Sequence, residues 1–209
     1  MIRILLAEHH VLVRQGVRAL LEREGLEVVG EAGDGREAVE LAKEQRPHVA
    51  VLDVEMPALN GVEAVRELKA VSPATRSILL TMRSEDCYVL RALQAGASGY
   101  VLKIQACEDL VRAIREVRAG RVYLSPSISR AVVEAYLAGR PAVPDPLTAR
   151  ERQLLQLVAE GKSTKEAAAL MGIRAKTGES HRTRMMAKLD AHSTAELVRY
   201  AIRLGLVQP

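Results

Sequence analysis

Two rhythms alternate over the first 120 residues. Short, mainly apolar runs occupy 2–7, 27–31, 48–52, 77–82 and 99–102. Between them, apolar residues recur three and four positions apart, the spacing of a helix with one buried face. This pattern predicts five strands, with helices from about residue 11 to 24 and at 34–45, 62–70, 84–96 and 108–119. Asp34 caps the second helix, with Glu37 three residues on, and Ser84 caps the fourth. Strands that are apolar along most of their length have no solvent face, so they belong to a parallel sheet covered on both sides. The expected fold is α/β: a doubly wound, five-stranded parallel sheet.

After residue 120 the strand rhythm stops. Ser125-Pro126 reads as an N-cap followed by proline at the first helical position, opening a helix to about 137. The stretch GRPAVPDP at 139–146 holds three prolines and a glycine and reads as a linker. From 147 onward only helical spacing remains. Thr148-x-x-Glu151, Ser163-x-x-Glu166 and Ser193-x-x-Glu196 each carry the capping-box pattern and mark three helix starts. A fourth helix covers 176–188. The chain therefore divides into a domain at 1–120, a linker helix and proline-rich linker at 121–146, and a small all-α, four-helix domain at 147–209.

Composition refines this picture. Apolar residues make up 48% of the chain and aromatics 2%, with neither Phe nor Trp, so the core is aliphatic. Two isolated cysteines, Cys87 and Cys107, provide neither a disulfide framework nor metal-ligand spacing, which suits a cytoplasmic protein. No apolar run is long enough for a secretory leader or a membrane span, so no membrane partner is expected. Net charge is +4 but unevenly placed: −2 over 1–120 and +6 over 121–209. The basic end calls for an anionic partner or for a solvated basic surface.

Ligands of doubly wound sheets sit at the carboxyl ends of the strands. There the sequence places Glu8, His9 and His10 after the first strand, Asp53 after the third, Thr81 after the fourth and Lys103 after the fifth. Each alone is an ordinary cap or turn residue. Together they suit phosphoryl transfer, with a carboxylate nucleophile, an ammonium and a hydroxyl for the phosphoryl oxygens, and acidic groups for a metal. VLDVEMPALNG around Asp53, SILLTM ending near Thr81 and AGASGYVLK ending at Lys103 resemble receiver domains of two-component systems. That resemblance implies that Asp53 accepts a phosphoryl group from a sensor histidine kinase. Thr81 and Lys103 contact it, and Tyr100 moves with the switch. Magnesium is held by Glu8, Asp53 and the main-chain carbonyl of Glu55. One position departs from the pattern: His9 stands where the family carries a second carboxylate. Magnesium prefers oxygen ligands, so its affinity should be low. Either the site is weakened, or a softer ion such as manganese or zinc uses His9.

At the other end, a helix, a short turn at Met171-Gly172-Ile173 and a basic helix follow one another at helix-turn-helix spacing. Residues 161–188 carry seven Lys/Arg against two acids, a stripe suited to phosphates. LTARERQLLQLVAEGKSTKEAA, the basic segment through HRTRMMAKL and STAELVRYAI resemble the DNA-binding domain of the LuxR class, and the whole chain resembles NarL/FixJ-type regulators. The resemblance implies that the basic helix enters the major groove of DNA. Glu179, Ser180 and Thr183 then face bases, and Lys176, Thr177, Arg182 and Lys188 lie near phosphates. The last helix pairs monomers into a homodimer on DNA. Leu197, Tyr200, Ala201 and Leu204 form one apolar stripe on it, fit for that contact or for packing inside the domain.

Two departures weaken the basic helix. Arg174 stands where the family has a capping serine, a loss of about 1 kcal/mol. Gly178 stands where it has a β-branched residue, which loses about 1 kcal/mol of helix propensity and roughly 1 to 3 kcal/mol of core packing. Ala167 likewise replaces a larger core residue, so the helix should be marginal. The expected function is a DNA-binding transcriptional regulator controlled through its receiver, and not an enzyme. Two alternatives are control without phosphorylation and a phosphatase-like hydrolase with Asp53 as nucleophile. The latter normally needs a second acid two residues on, at Glu55, which lies in a Glu-Met-Pro loop.

Overall fold

The computed structural model describes residues 1–82, 84, 86–129 and 146–207. Within these the chain divides into two compact units. The first alternates β1 (Arg3–Ala7), α1 (Val11–Arg23), β2 (Glu27–Ala32), α2 (Gly35–Gln45), β3 (Val49–Asp53), α3 (Gly61–Val71), β4 (Arg76–Thr81), α4 (Asp86–Ala95) and β5 (Gly99–Leu102). A single 3-10 turn (Lys103–Gln105) leads into α5 (Ala106–Arg118). A short β6 (Tyr123–Leu124) then adds a sixth strand beyond the five expected, parallel to β5. The sheet order is β2-β1-β3-β4-β5-β6, parallel throughout.

The sheet is covered on both sides, as its continuous apolar strands require. Ile4, Leu6, Val49, Val51, Ile78 and Leu80 pack with Val17 and Leu21 of α1 and with Leu110, Ile114 and Val117 of α5. The alternate residues Leu5, Ala50, Leu52 and Leu79 are equally buried and point to the other face. Asp34 caps α2, its carboxylate accepting from the N–H groups of Arg36 and Glu37. Glu37 accepts in turn from the N–H of Gly33 at 2.7 Å. Asn60 caps α3. The next residue must be glycine: a Cβ at Gly61 would lie 2.1 Å from the carbonyl oxygen of Asp53. That close approach lets the N–H of Gly61 reach the carbonyl of Val54 and folds the loop tightly after β3.

Ser125 holds the expected N-cap position, its carbonyl accepting from the N–H of Ser129 at 3.0 Å. It is also fully buried, and its hydroxyl donates to Asp109 of α5 at 2.7 Å. Residues 126–129 are helical. The rest of the expected linker helix and the proline-rich stretch, apart from residue 146, lie outside the described residues.

The second unit holds α6 (Ala149–Ala159), α7 (Thr164–Leu170), α8 (Ala175–Leu189) and α9 (Thr194–Arg203). Thr148 and Ser163 form complete capping boxes with Glu151 and Glu166. Ser193 accepts from the N–H of Glu196, while Glu196 reaches past it to the N–H of His192 at 2.7 Å. The core is aliphatic, with Leu154, Leu155, Met185 and Leu197 fully buried in it. Arg174 provides no side-chain cap to α8. The expected packing loss at Gly178 is corrected: a Cβ there would stand 2.9 Å from the Cβ of Ala168 and 3.4 Å from the carbonyl oxygen of Thr164. Helices α7 and α8 approach so closely that the space of the missing side chain is closed. The residual weakness of α8 is its missing cap and its glycine backbone. Among the described residues no helix is long and apolar enough to cross a membrane.

Candidate functional site

Strand order reverses between β1 and β3, and the loops leaving these strands open a crevice at their carboxyl ends. Glu8 follows β1 and is fully buried; Asp53 ends β3 and is 3% exposed. Two charges cannot be withdrawn from water so far without partners, and the partner is Lys103. Its Nζ lies 2.7 Å from Glu8 Oε2 and 3.0 Å from Asp53 Oδ2. Asp53 Oδ1 accepts from the main-chain N–H of Glu55 at 3.2 Å. Thr81 ends β4 and is buried, and Tyr100 is fully buried in β5 three residues before Lys103. The strands thus bring Glu8, Asp53 and Lys103 into contact and set Thr81 and Tyr100 on the adjoining strands.

His9 does more than vacate an acidic position. Its Nδ1 lies 3.1 Å from Asp53 Oδ2 and 3.5 Å from Glu8 Oε1. His10 joins from the other side: its main-chain N–H donates to Glu8 Oε1 at 2.9 Å, and its Nδ1 lies 3.1 Å from the same oxygen. The two rings are 3.7 Å apart, tilted by 46°. The sequence placed both histidines beside the acidic site, and the structure adds the contacts that their rings make with the two carboxylates.

Burial pushes the Asp53 carboxyl up, and the Glu8 charge beside it adds to this. Lys103 pulls the other way, and the carboxyl settles above the ordinary aspartate value. Burial also pushes Glu8 up, but hydrogen bonds from Lys103 and His10 outweigh it and hold that carboxyl below the usual range. Burial favours the neutral amine of Lys103, yet the two carboxylates hold its pKa above that of a free lysine. The proton therefore stays on Lys103.

The donor set does not fit magnesium well. That ion asks for octahedral oxygen ligands at about 2.0–2.1 Å. Here two imidazole nitrogens stand among the carboxylates, and Glu8, His9, His10 and Asp53 place one ligand atom each within 4.8 Å of one another.

In the helical unit, Lys176, Thr177, Glu179, Ser180 and Thr183 are exposed on α8. The hydroxyls of Ser180 and Thr183 donate to the carbonyls of Lys176 and Glu179, one turn back. Arg182 is half-buried and ties α8 to two helix starts, donating to Thr164 Oγ1 at 3.4 Å and Thr194 Oγ1 at 2.8 Å. Lys188 pairs with the buried Glu151 at 2.7 Å, a contact no local motif announces. On α9, Leu197, Ala201 and Leu204 lie in the domain's own core. One side chain cannot fill two places, so this stripe is internal for three of its four residues. Tyr200 stays half-buried, with the Arg203 guanidinium 5.1 Å over its ring.

Residues 4–115 match the response regulator receiver domain family, and residues 145–201 match the bacterial regulatory proteins of the luxR family. The transcriptional regulatory protein MctR of Rhizobium johnstonii is 36% identical over 208 residues, covering 99% of this chain and 95% of that one. The response regulator GacA of Pseudomonas aeruginosa is 36% identical over 210 residues, covering 99% and 98%. Among solved structures, RcsB of Salmonella enterica serovar Typhimurium, bound to the promoter rprA in the presence of the phosphomimetic BeF3-, superposes with a TM-score of 0.65. It is 26% identical and covers 95% of this chain and 97% of that one.

Proposed function

Because the chain belongs to the two-component response regulators that join a receiver domain to a LuxR-type DNA-binding domain, we propose that Asp53 is its phosphoacceptor and that the state of Asp53 sets DNA binding by α8. The observation that carries this reading is the buried Asp53 carboxylate held 3.0 Å from Lys103. An Asp53 oxygen attacks the phosphorus of a phosphodonor, here a phosphohistidine on a sensor kinase. An acyl phosphate forms as the bond to the donor nitrogen breaks. The Lys103 ammonium meets the added negative charge, and the Thr81 hydroxyl donates to a phosphoryl oxygen. Tyr100, on the strand that presents Lys103, carries the change onward.

The output is binding to DNA, with the protein working in the cytoplasm. Lys176 and Thr177 meet phosphates, and Glu179, Ser180 and Thr183 meet base edges. RcsB has been solved as two dimers on DNA, which supports a homodimer here, with Tyr200 and the outer surface of α9 as its contact. Control without phosphoryl transfer is a second reading, favoured by the His9 ring lying on Asp53 Oδ2.

Incubation with acetyl phosphate, read by mass spectrometry, tests the proposal together with DNA binding across a salt series. One phosphoryl group is expected on Asp53, with none on Asp53→Asn, and tighter DNA binding by the labelled form. Lys176→Ala should weaken binding to all sequences and flatten the salt dependence by about one phosphate contact. No labelling of the unmutated chain, with DNA binding intact, favours the second reading.

A further inference from the structure

We propose that the crevice between β1 and β3 is a zinc-class metal site, with Glu8, His9 and Asp53 as its ligands and His10 as the fourth. The ligands of a tetrahedral zinc ion lie about 2.0–2.2 Å from the metal, so they stand roughly 3.4 Å from each other. Three of the separations here are already close to that: 3.1 Å for His9 Nδ1 to Asp53 Oδ2, 3.5 Å for His9 Nδ1 to Glu8 Oε1, and 3.1 Å for His10 Nδ1 to Glu8 Oε1. An imidazole nitrogen and a carboxylate oxygen that share a proton at such a distance can share a metal ion instead.

The chemistry of the donors points the same way. Two nitrogens and two carboxylate oxygens suit a borderline ion such as zinc, whereas magnesium wants oxygen alone. Lys103 contacts Oε2 of Glu8 and leaves Oε1 to face both rings; it also lies 3.0 Å from Asp53 Oδ2, so the ammonium swings aside from that oxygen as the ion enters. Access is adequate: the His9 side chain is 28% exposed, so an ion enters over it, while the two carboxylates below are buried. Glu8 and Asp53 are also fixed by the strands that carry them, so the ion meets a site already arranged.

The consequence is competition at Asp53. An ion that takes Oδ2 withdraws that oxygen from a phosphodonor, so the receiver senses metal occupancy as well as phosphoryl transfer. The metal site does not depend on Asp53 being phosphorylated, and the acetyl phosphate experiment addresses that point separately.

Calorimetric titration of the full chain with zinc chloride, and separately with magnesium chloride, tests the site. Nitrogen-containing sites favour zinc over magnesium in general, so the decisive quantity is the response to substitution at His9. One zinc equivalent is expected, with His9→Ala lowering its affinity by about tenfold or more and His9→Asp shifting preference towards magnesium. Zinc affinity unchanged in His9→Ala overturns the proposal, because the ion then sits elsewhere. Should His9→Ala lose its circular dichroism, cobalt absorption of the unmutated chain decides. Intense visible bands of a four-coordinate nitrogen–oxygen site support the assignment, and the faint spectrum of hydrated cobalt overturns it.

Discussion

At the scale of single residues, one oxygen of Asp53 is shared between two bases, with Lys103 Nζ at 3.0 Å and His9 Nδ1 at 3.1 Å. The sequence showed that His9 replaces a carboxylate, but only the fold showed its ring resting 3.1 Å from Asp53. Gly178 is the reverse case. Its missing side chain predicted a packing loss, whereas α7 and α8 close until a Cβ would stand 2.9 Å from Ala168. Interhelix distance is a property of two segments together and leaves no mark in either. Gly178→Val should therefore destabilise the helical domain by about 1–3 kcal/mol, because overpacking forces the helices apart. Arg174→Ser should stabilise it by about 1 kcal/mol by supplying a cap. Thermal melting of both variants checks the pair; a rise in melting temperature for Gly178→Val would show that the space is open after all.

Elements were legible where they were long and rhythmic. Five strands, their helices and three of the four C-terminal helix starts followed from spacing and caps. A two-residue strand has no rhythm, and β6 escaped for that reason. The α9 stripe was legible as apolar but not as to its partner, since the same spacing serves a core or an interface. Ion pairs between elements were invisible, and the Lys188–Glu151 pair has a measurable consequence. Burial pushes the Glu151 carboxyl up, but Lys188 and the Thr148 cap outweigh it and hold its pKa below the ordinary value of 4.5. A group with a lowered folded pKa stabilises the fold above its unfolded value and loses that stability as pH falls through the folded one. Acid should thus weaken the helical domain progressively below pH 4.5. The loss should be shallower in Lys188→Met, and urea titrations from neutral pH to about pH 3 measure the difference. Equal slopes in the two proteins would mean that the pair contributes nothing in solution.

Across the whole molecule, the segment after α5 is tied to β5, the strand that carries Tyr100 and leads to Lys103. The N–H of Ser125 donates to the carbonyl of Tyr100 at 3.1 Å, and the hydroxyls of Tyr123 and Ser125 both donate to Asp109. A displacement of β5 is therefore felt at the first residues leading out of the receiver. Burial, then the bond to Asp109, pushes the Tyr123 phenol up to about 12. A raised folded pKa stabilises the fold below the unfolded value of about 10, and that contribution disappears as pH rises through the folded one. Asp109→Ala should lower the Tyr123 titration towards the ordinary value, and absorbance during alkaline titration follows it. No change would separate Asp109 from the segment. The aliphatic core has one more consequence, for how the molecule meets light. With no tryptophan and five tyrosines, its near-ultraviolet signal is faint and comes from phenols alone. Of these, Tyr100 is sealed inside the receiver sheet, while Tyr200 is half-buried on α9 against the core of the helical domain. A single tryptophan placed at position 200 would be the only indole in the chain, so its emission would report on the DNA-binding domain against a nearly dark background.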